Sequence, residues 1–386
     1  MSTAADAPTE PDPERVAAAL AETDFVRVYA RPTGDALAAA GVLARGLAGG
    51  NTAFQVRTTR DAAVPDGDGT ALALGWTAPN ATAIPTGDRP VSAVVAAVVD
   101  ALGAEPDPLV GLAGVVAAGT APGDGGSGSL LEEAERRGVV DRRPGVAVPT
   151  ADLADGLAHT TLVRTPQSDD LDDAGALLDA LGVHEDPDED GRRRLASAVA
   201  LDATDGAPDR SVAAVERALR PHATPTGPFA TLEGTADVFD ALARERPGLG
   251  EALALGADVV VAGVVAIRDH VAGVHPVLAD PTTGRYDGVF VARVAATPAE
   301  GATLPAAARL VRDFASPEPL AVVVADDTVA AAVLGSTDAT AALRAGVEAT
   351  GADGDRDVIG DARTGDARFA GGDVQAFIGG FREALG

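Results

Sequence analysis

The stretch ARPTGDALAAAGVLARGL, residues 30–47, sets a single carboxylate, Asp35, in a polar turn between a strand and a small-residue helix. Ligands gather at the carboxyl ends of strands in open α/β sheets. A Gly beside an Asp at a helix N-terminus can present a carboxylate to a metal while the helix dipole steadies an anion. The same residue also suits a cap or a turn, as general capping preferences favour. Other groups offer weaker chemistry. Asp186, Asp188, Asp190 and Gly191 in HEDPDEDGRRR (184–194) follow calcium-loop spacing, but Ser197 stands at the twelfth position and Pro187 stiffens the run, so a solvated acidic loop is expected. APGDGGSGS (121–129) has the glycines of an anion-binding nest without the lysine of a phosphate loop, and reads as a flexible turn. Asp269, His270 and His275 in RDHVAGVH (268–275) are read as structural or exposed at a strand end. Arg363 and Arg368 sit beside glycines, where a guanidinium can grip a phosphate by paired hydrogen bonds or a surface carboxylate by a salt bridge.

The elements that must position these groups follow from periodicity. PERVAAALAE predicts a short helix and FVRVYA (25–30) a buried strand; AFQVRTT (53–59) and TALALG (70–75) read as strands. VSAVVAAVVDAL (91–102) and LVGLAGVVAAG (109–119) read as helices, and Ser129 with Glu132 predicts a capping box opening another. Helical periods dominate from about 150 to 255. Beyond 256, ADVVVAGVVAI, GVFVARV, LAVVVADD and VAAAVLG read as strands, between helices PAAARLVRDFA, TAALRAGVEAT and VQAFIGGFREAL. The expected fold is therefore α/β: two α/β domains with mainly parallel sheets, joined by a helical connector. The expected boundaries are a flexible acidic tail over 1–14, a first domain over 15–150, the connector over 151–255 and a second domain over 256–386.

Composition bounds the function. The 386 residues carry 58 acidic and 30 basic side chains, a formal charge of −28, and the basic residues are all arginines. Such a surface stays hydrated in concentrated salt, which screens its self-repulsion, so the charge reads as a halophile's solvent adaptation. The chain lacks cysteine, which excludes disulfides, thiol catalysis and sulfur-based zinc sites. No apolar leader opens the chain, and VVVAGVVAI (259–267) is strand-length and too short to span a bilayer. A soluble cytoplasmic protein is expected, without a membrane partner. No Gly-x-Gly-x-x-Gly turn follows a strand, which argues against a dinucleotide enzyme.

The order of these elements resembles the DHH phosphoesterase superfamily, archaeal RecJ-like proteins in particular, from about residue 20 to the end. The family's first motif is a strand followed by His-x-Asp-x-Asp-Gly; the matching positions here are Arg31, Thr33, Asp35 and Ala36. Its Asp-His-His motif falls on Gly75, Trp76 and Thr77. Its third motif resembles LAGVVAAGTAPGD (112–124), where Gly119 and Thr120 match, Gly123 takes the aspartate position and Asp124 follows one residue late. The C-terminal part resembles the DHH-associated domain: IGDARTGDARFAGG (359–372) stands for its glycine-histidine signature, with Asp361 near the histidine position.

The resemblance implies fold and partners, and the departures imply lost chemistry. Family enzymes cleave phosphodiesters with two manganese ions held by Asp and His. Asp35 at most remains as a metal ligand, so no cofactor is expected, with Mn2+ only if a residual site exists. The resemblance then implies a catalytically inactive factor of DNA replication or repair, binding single-stranded nucleic acid or a protein such as GINS. Arg363, Arg368, Gly371 and Gly372 are its nucleic-acid-binding positions. The alternative is an active or residual single-strand exonuclease or phosphoesterase around Asp35, Asp88 and Asp124. Trp76 would fill the emptied metal pocket or stack on a base.

Overall fold

The computed structural model describes residues 11–184, 186–286, 288–294, 301–335, 337–351, 358–368 and 373–385. The chain opens with α1 (Pro13–Ala21), β1 (Phe25–Ala30), α2 (Gly34–Gly49), β2 (Ala53–Thr58), β3 (Thr70–Gly75) and β4 (Thr82–Pro85), then α3 (Val91–Ala101), α4 (Pro108–Ala117) and α5 (Gly128–Arg136). Next come β5 (Asp141–Arg142), α6 (Leu153–Ala158), α7 (Leu171–Leu181), α8 (Glu189–Thr204), α9 (Ser211–Ala218), β6 (His222–Ala223), α10 (Leu232–Glu245), α11 (Pro247–Ala254) and α12 (Val260–Val274). The last part holds β7 (Thr282–Tyr286), β8 (Val289–Arg293), α13 (Leu304–Phe314), β9 (Leu320–Ala325), β10 (Thr328–Val333), α14 (Ala339–Ala349), β11 (Val358–Gly360), β12 (Thr364–Arg368) and α15 (Val374–Glu383).

The first sheet has order β2-β1-β3-β4 and is parallel throughout. Side chains alternate faces along a strand, so Val26, Val28, Ala30, Leu72 and Leu74 enter the main core beside α2, α3 and α4. Tyr29, Ala71 and Ala73 face the other way, packing with Val64 and Trp76. Residues 59–69 join β2 to β3 as a loop that crosses β1, since β1 lies between those strands.

The two-part α/β architecture is as expected, but the second sheet is mixed, not mainly parallel. Its order is β11-β12-β10-β9-β8-β7; β8 and β9 run parallel across α13, and the other four ladders are antiparallel. Its central strand β9 is buried on both faces, with Ala321, Val323 and Ala325 in one core and Leu320, Val322 and Val324 in another. Helices α14 and α15 cover the second of these, through Leu343, Phe377 and Phe381.

Residues 150–255 hold helices α6 to α11 and the short strand β6, and α12 extends that run: the segment predicted as a strand over 257–267 is largely helix. Gly263, Ala266, Ile267, His270, Val271 and Val274 are its buried residues, spaced by three and four. The helical stretch Val260–Leu278 is also long and apolar enough to cross a membrane by length and composition, so the shortness of 259–267 carries no weight; packing does, because Ala266, Ile267 and Val271 belong to the main core. The capping box at Ser129 does not form. Helix α5 starts after Ser127, whose hydroxyl makes no cap hydrogen bond to the helix and instead ties the preceding turn, accepting from the Gly123 amide and donating to the Asp124 carbonyl. Of the predicted tail, residues 1–10 lie outside the described residues.

Candidate functional site

A cleft of about 520 Å³ opens where the carboxyl end of β1 meets α9, α10, α13 and the β11–β12 turn. Thr33, Asp35, Gly119, Thr120, Asp361 and Arg363 line it, so the first and third motif positions and the C-terminal signature converge there. Arg31, Gly75, Trp76, Thr77, Gly123, Asp124 and Arg368 are outside its lining. Thr77, Asp88 and Asp124 are exposed. Gly371 and Gly372 lie outside the described residues.

Asp35 is a cap for a distant helix. Its two carboxylate oxygens accept the amides of Val91 (2.7 Å) and Ser92 (2.8 Å), the first turn of α3, whose own N-cap residue Pro90 has no side chain to do so. Burial pushes its pKa up to about 6 against those hydrogen bonds, and the Asp361 charge adds to the rise. The cap of its own helix is Thr33, whose hydroxyl accepts from the Ala36 amide.

The other cleft carboxylates are likewise engaged. Asp240 accepts the Gly34 amide at 3.1 Å; burial opposes its charge, but Arg244 and that amide hold it below the usual range. Asp237 takes the Thr161 amide (2.8 Å) and the hydroxyls of Thr160 and Thr161. Glu233 accepts the His222 amide and pairs with its Nδ1 at 2.9 Å. Asp361 accepts the amides of Arg363 (2.6 Å) and Thr364 (2.9 Å), closing the β11–β12 turn, and burial raises its pKa.

A two-manganese cage does not fit this donor set. Asp35 spends both oxygens on amides, and among the described residues no group of three or more Asp, Glu or His side chains could hold a metal. Of the three carboxylates of the alternative reading, Asp35 lines the cleft, while Asp88 and Asp124 are exposed and outside its lining. The remaining candidates are structural. Asp188 caps α8 through the Gly191 amide at 2.7 Å. Within or beside α12, not at a strand end, Asp269 pairs with Arg246 (2.6 Å), His270 with Glu245 (2.7 Å), and His275 with the Thr160 carbonyl (3.1 Å).

The cleft's cations are unexpected for so acidic a chain. Arg142, Arg217, Arg220, Arg244, Arg309, Arg312 and Arg363 all line it. Arg312 is buried in a two-bond pair with Asp313 (2.7 and 2.9 Å) and donates to the Val333 carbonyl. Arg309 donates to Thr161 Oγ1 at 2.7 Å. Half-exposed Arg217 shares Asp313 (3.0 Å); burial lowers its proton affinity, Asp313 supports it, and Arg312, Arg309 and Arg363 crowd it further. These guanidinium groups share the lining with the carboxylates of Asp35, Glu216, Glu233, Asp237, Asp240 and Asp361. Of the seven arginines, the sequence singles out Arg363 alone. A signal for two others lay in α13, where Arg309 and Arg312 fall three residues apart in a helix whose only other charged residue is Asp313.

Fold and cleft together define an α/β protein with an arginine-walled groove between two sheets. Its architecture is that of CDC45 from Entamoeba histolytica, with a TM-score of 0.58 at 8% identity over 94% of each chain. Exonuclease RecJ bound to manganese aligns over 99% of this chain and 95% of that one, at 15% identity and a TM-score of 0.46. In sequence, the chain is 43% identical over 381 residues to the Uncharacterized protein rrnAC1427 of Haloarcula marismortui, covering 97% of this chain and 96% of that one. The domain family described as Uncharacterized protein rrnAC1427, C-terminal domain, matches residues 281–383. The chain belongs to the rrnAC1427 family.

Proposed function

We propose that this is a RecJ-like protein of the DHH superfamily without nuclease chemistry, working in a salt-rich cytoplasm as a nucleic-acid-binding or scaffold factor of DNA replication or repair. The observation that carries this reading is the cleft's division of labour: Asp35, Asp237 and Asp361 are spent on amides and hydroxyls of the fold, while arginines from α9, α13 and the β11–β12 turn line the same groove. Such a groove suits the backbone of single-stranded nucleic acid, which arginine grips through phosphate oxygens without reading sequence. Divided as 15–150, 151–255 and 256–386, the chain places the groove at the meeting of all three segments. The shared fold with CDC45 supports a protein partner, GINS or another replication factor, on the same frame.

Fluorescence anisotropy with a labelled single-stranded oligonucleotide in multimolar potassium chloride tests the reading. Binding is expected, weakened alike for all base compositions by Arg217→Ala and Arg363→Ala, and the strand should stay intact with added Mn2+. Degradation that depends on Mn2+ would favour the exonuclease alternative, and binding untouched by either substitution would remove the groove from the mechanism.

A further inference from the structure

The face of the first sheet bearing Arg27, Tyr29 and Arg31 is covered by the crossing loop 59–69, and side chains from β1 and β3 fasten it. Arg27 donates to the carbonyls of Pro65 (2.6 Å), Gly67 (3.0 Å) and Asp68 (3.0 Å). Arg31 donates to the carbonyls of Arg60 and Asp61, the latter at 3.3 Å. The Trp76 indole N–H donates to the Ala62 carbonyl at 3.0 Å, and the Arg31 guanidinium lies 4.5 Å over the Trp76 ring. The side chain of Arg60, from the stretch so held, reaches across to the second sheet: its Nη2 is 2.6 Å from Asp366 Oδ2 on β12. Asp366 Oδ1 takes Arg244 of α10 at 2.8 Å, and both groups of that pair are only 4% exposed.

We propose that Arg31, stacked on Trp76, is a protein-supplied cation that closes the strand-end position against a divalent ion and, by fixing residues 60–62, sets Arg60 to clasp the second sheet through Asp366. The guanidinium fork offers several donors in one plane and stacks on an aromatic face, a combination an ammonium or a metal ion does not share. Its fixed charge repels a second cation. The clasp gives the groove a set width, because the loop that covers one sheet also holds β12 of the other. This inference stands whether or not the groove takes nucleic acid.

Trp76 is the single tryptophan, so its fluorescence reports the plug alone. Asp366→Asn, in the full chain in multimolar potassium chloride, should shift Trp76 emission to the red and raise its acrylamide quenching, though residue 366 is on β12 of the other sheet. Arg60→Ala keeps the Arg244–Asp366 pair and should do the same, which preserves the test if the buried substitution fails to fold by circular dichroism. Arg363→Ala cuts a separate link, from Arg363 to the Gly119 carbonyl, and should leave Trp76 unchanged. Wild-type emission should be indifferent to Mn2+, whose unpaired electrons quench a nearby indole. Folded variants with unaltered Trp76, an equal shift in Arg363→Ala, or saturable quenching by Mn2+ would each overturn the proposal.

Discussion

A carboxylate that takes two amide hydrogens from the first turn of a helix is well placed for its charge, yet Asp35 sits so deep that burial wins. Its folded pKa of about 6 exceeds the ordinary 3.8. Between those values the folded state binds more protons than the unfolded chain, so stability from this group is full below about pH 4 and is lost as pH rises through 6. The difference amounts to about 3 kcal/mol by pH 7. Asp35→Asn, which cannot ionise, should lack this fall. Its urea midpoint should be lower than wild type at pH 4, because one α3 amide then faces an amide N–H, and the gap should narrow toward pH 7. Parallel pH profiles for the two proteins would refute the assignment. The sequence shows Asp35 as a cap or a ligand but hides which helix it caps, because Val91 and Ser92 are more than fifty residues away and only the folded sheet brings them near.

Helix α12 marks where local pattern and packing part company. VVVAGVVAI is a short run rich in β-branched residues, for which periodicity does not separate a strand from a buried helix. What decides is the continuation to Val274, which gives α12 one face to lay against the main core while Val261 points to solvent, 81% exposed. The two faces predict opposite responses. Val261→Ala should leave stability unchanged or raise it by about 0.5 kcal/mol, since alanine is the better helix former and nothing packs there. Ile267→Ala, at a fully buried position, should cost about 2 to 5 kcal/mol. Urea denaturation at constant potassium chloride measures both, and a loss at Val261 comparable to that at Ile267 would contradict the helix. The parallel sheet was legible because its first three strands, FVRVYA, AFQVRT and TALALG, each carry apolar residues at alternate positions between turns. The short strands β11 and β12 were not, since the Gly- and Asp-rich GDARTGDAR carries no strand-like alternation.

At the scale of the whole molecule, charge and groove pull against each other. A chain of net charge −28 repels a polyanion in dilute buffer, and its own surface repels itself. At about 1 M salt the screening length falls to roughly 3 Å, so distant carboxylates cease to matter while a guanidinium touching a phosphate does not. The groove was illegible in the sequence for a related reason: Arg217, Arg309 and Arg363 are separated along the chain by about fifty to ninety residues, and only the meeting of α9, α13 and the β11–β12 turn makes them one cluster. A basic single-strand binder loses affinity steeply with salt as counterions are released. Here the long-range repulsion fades as salt rises while the contacts persist, so single-strand affinity should change by less than about tenfold between 1 and 3 M potassium chloride. Arg217→Ala should lower it throughout that range, and should reduce any residual salt slope by about 1. Thermal stability should climb steadily over the same titration, because self-repulsion is relieved with no opposing term. An affinity that collapses with salt while stability climbs would mean that general electrostatic attraction, not contact inside the arginine groove, holds the strand.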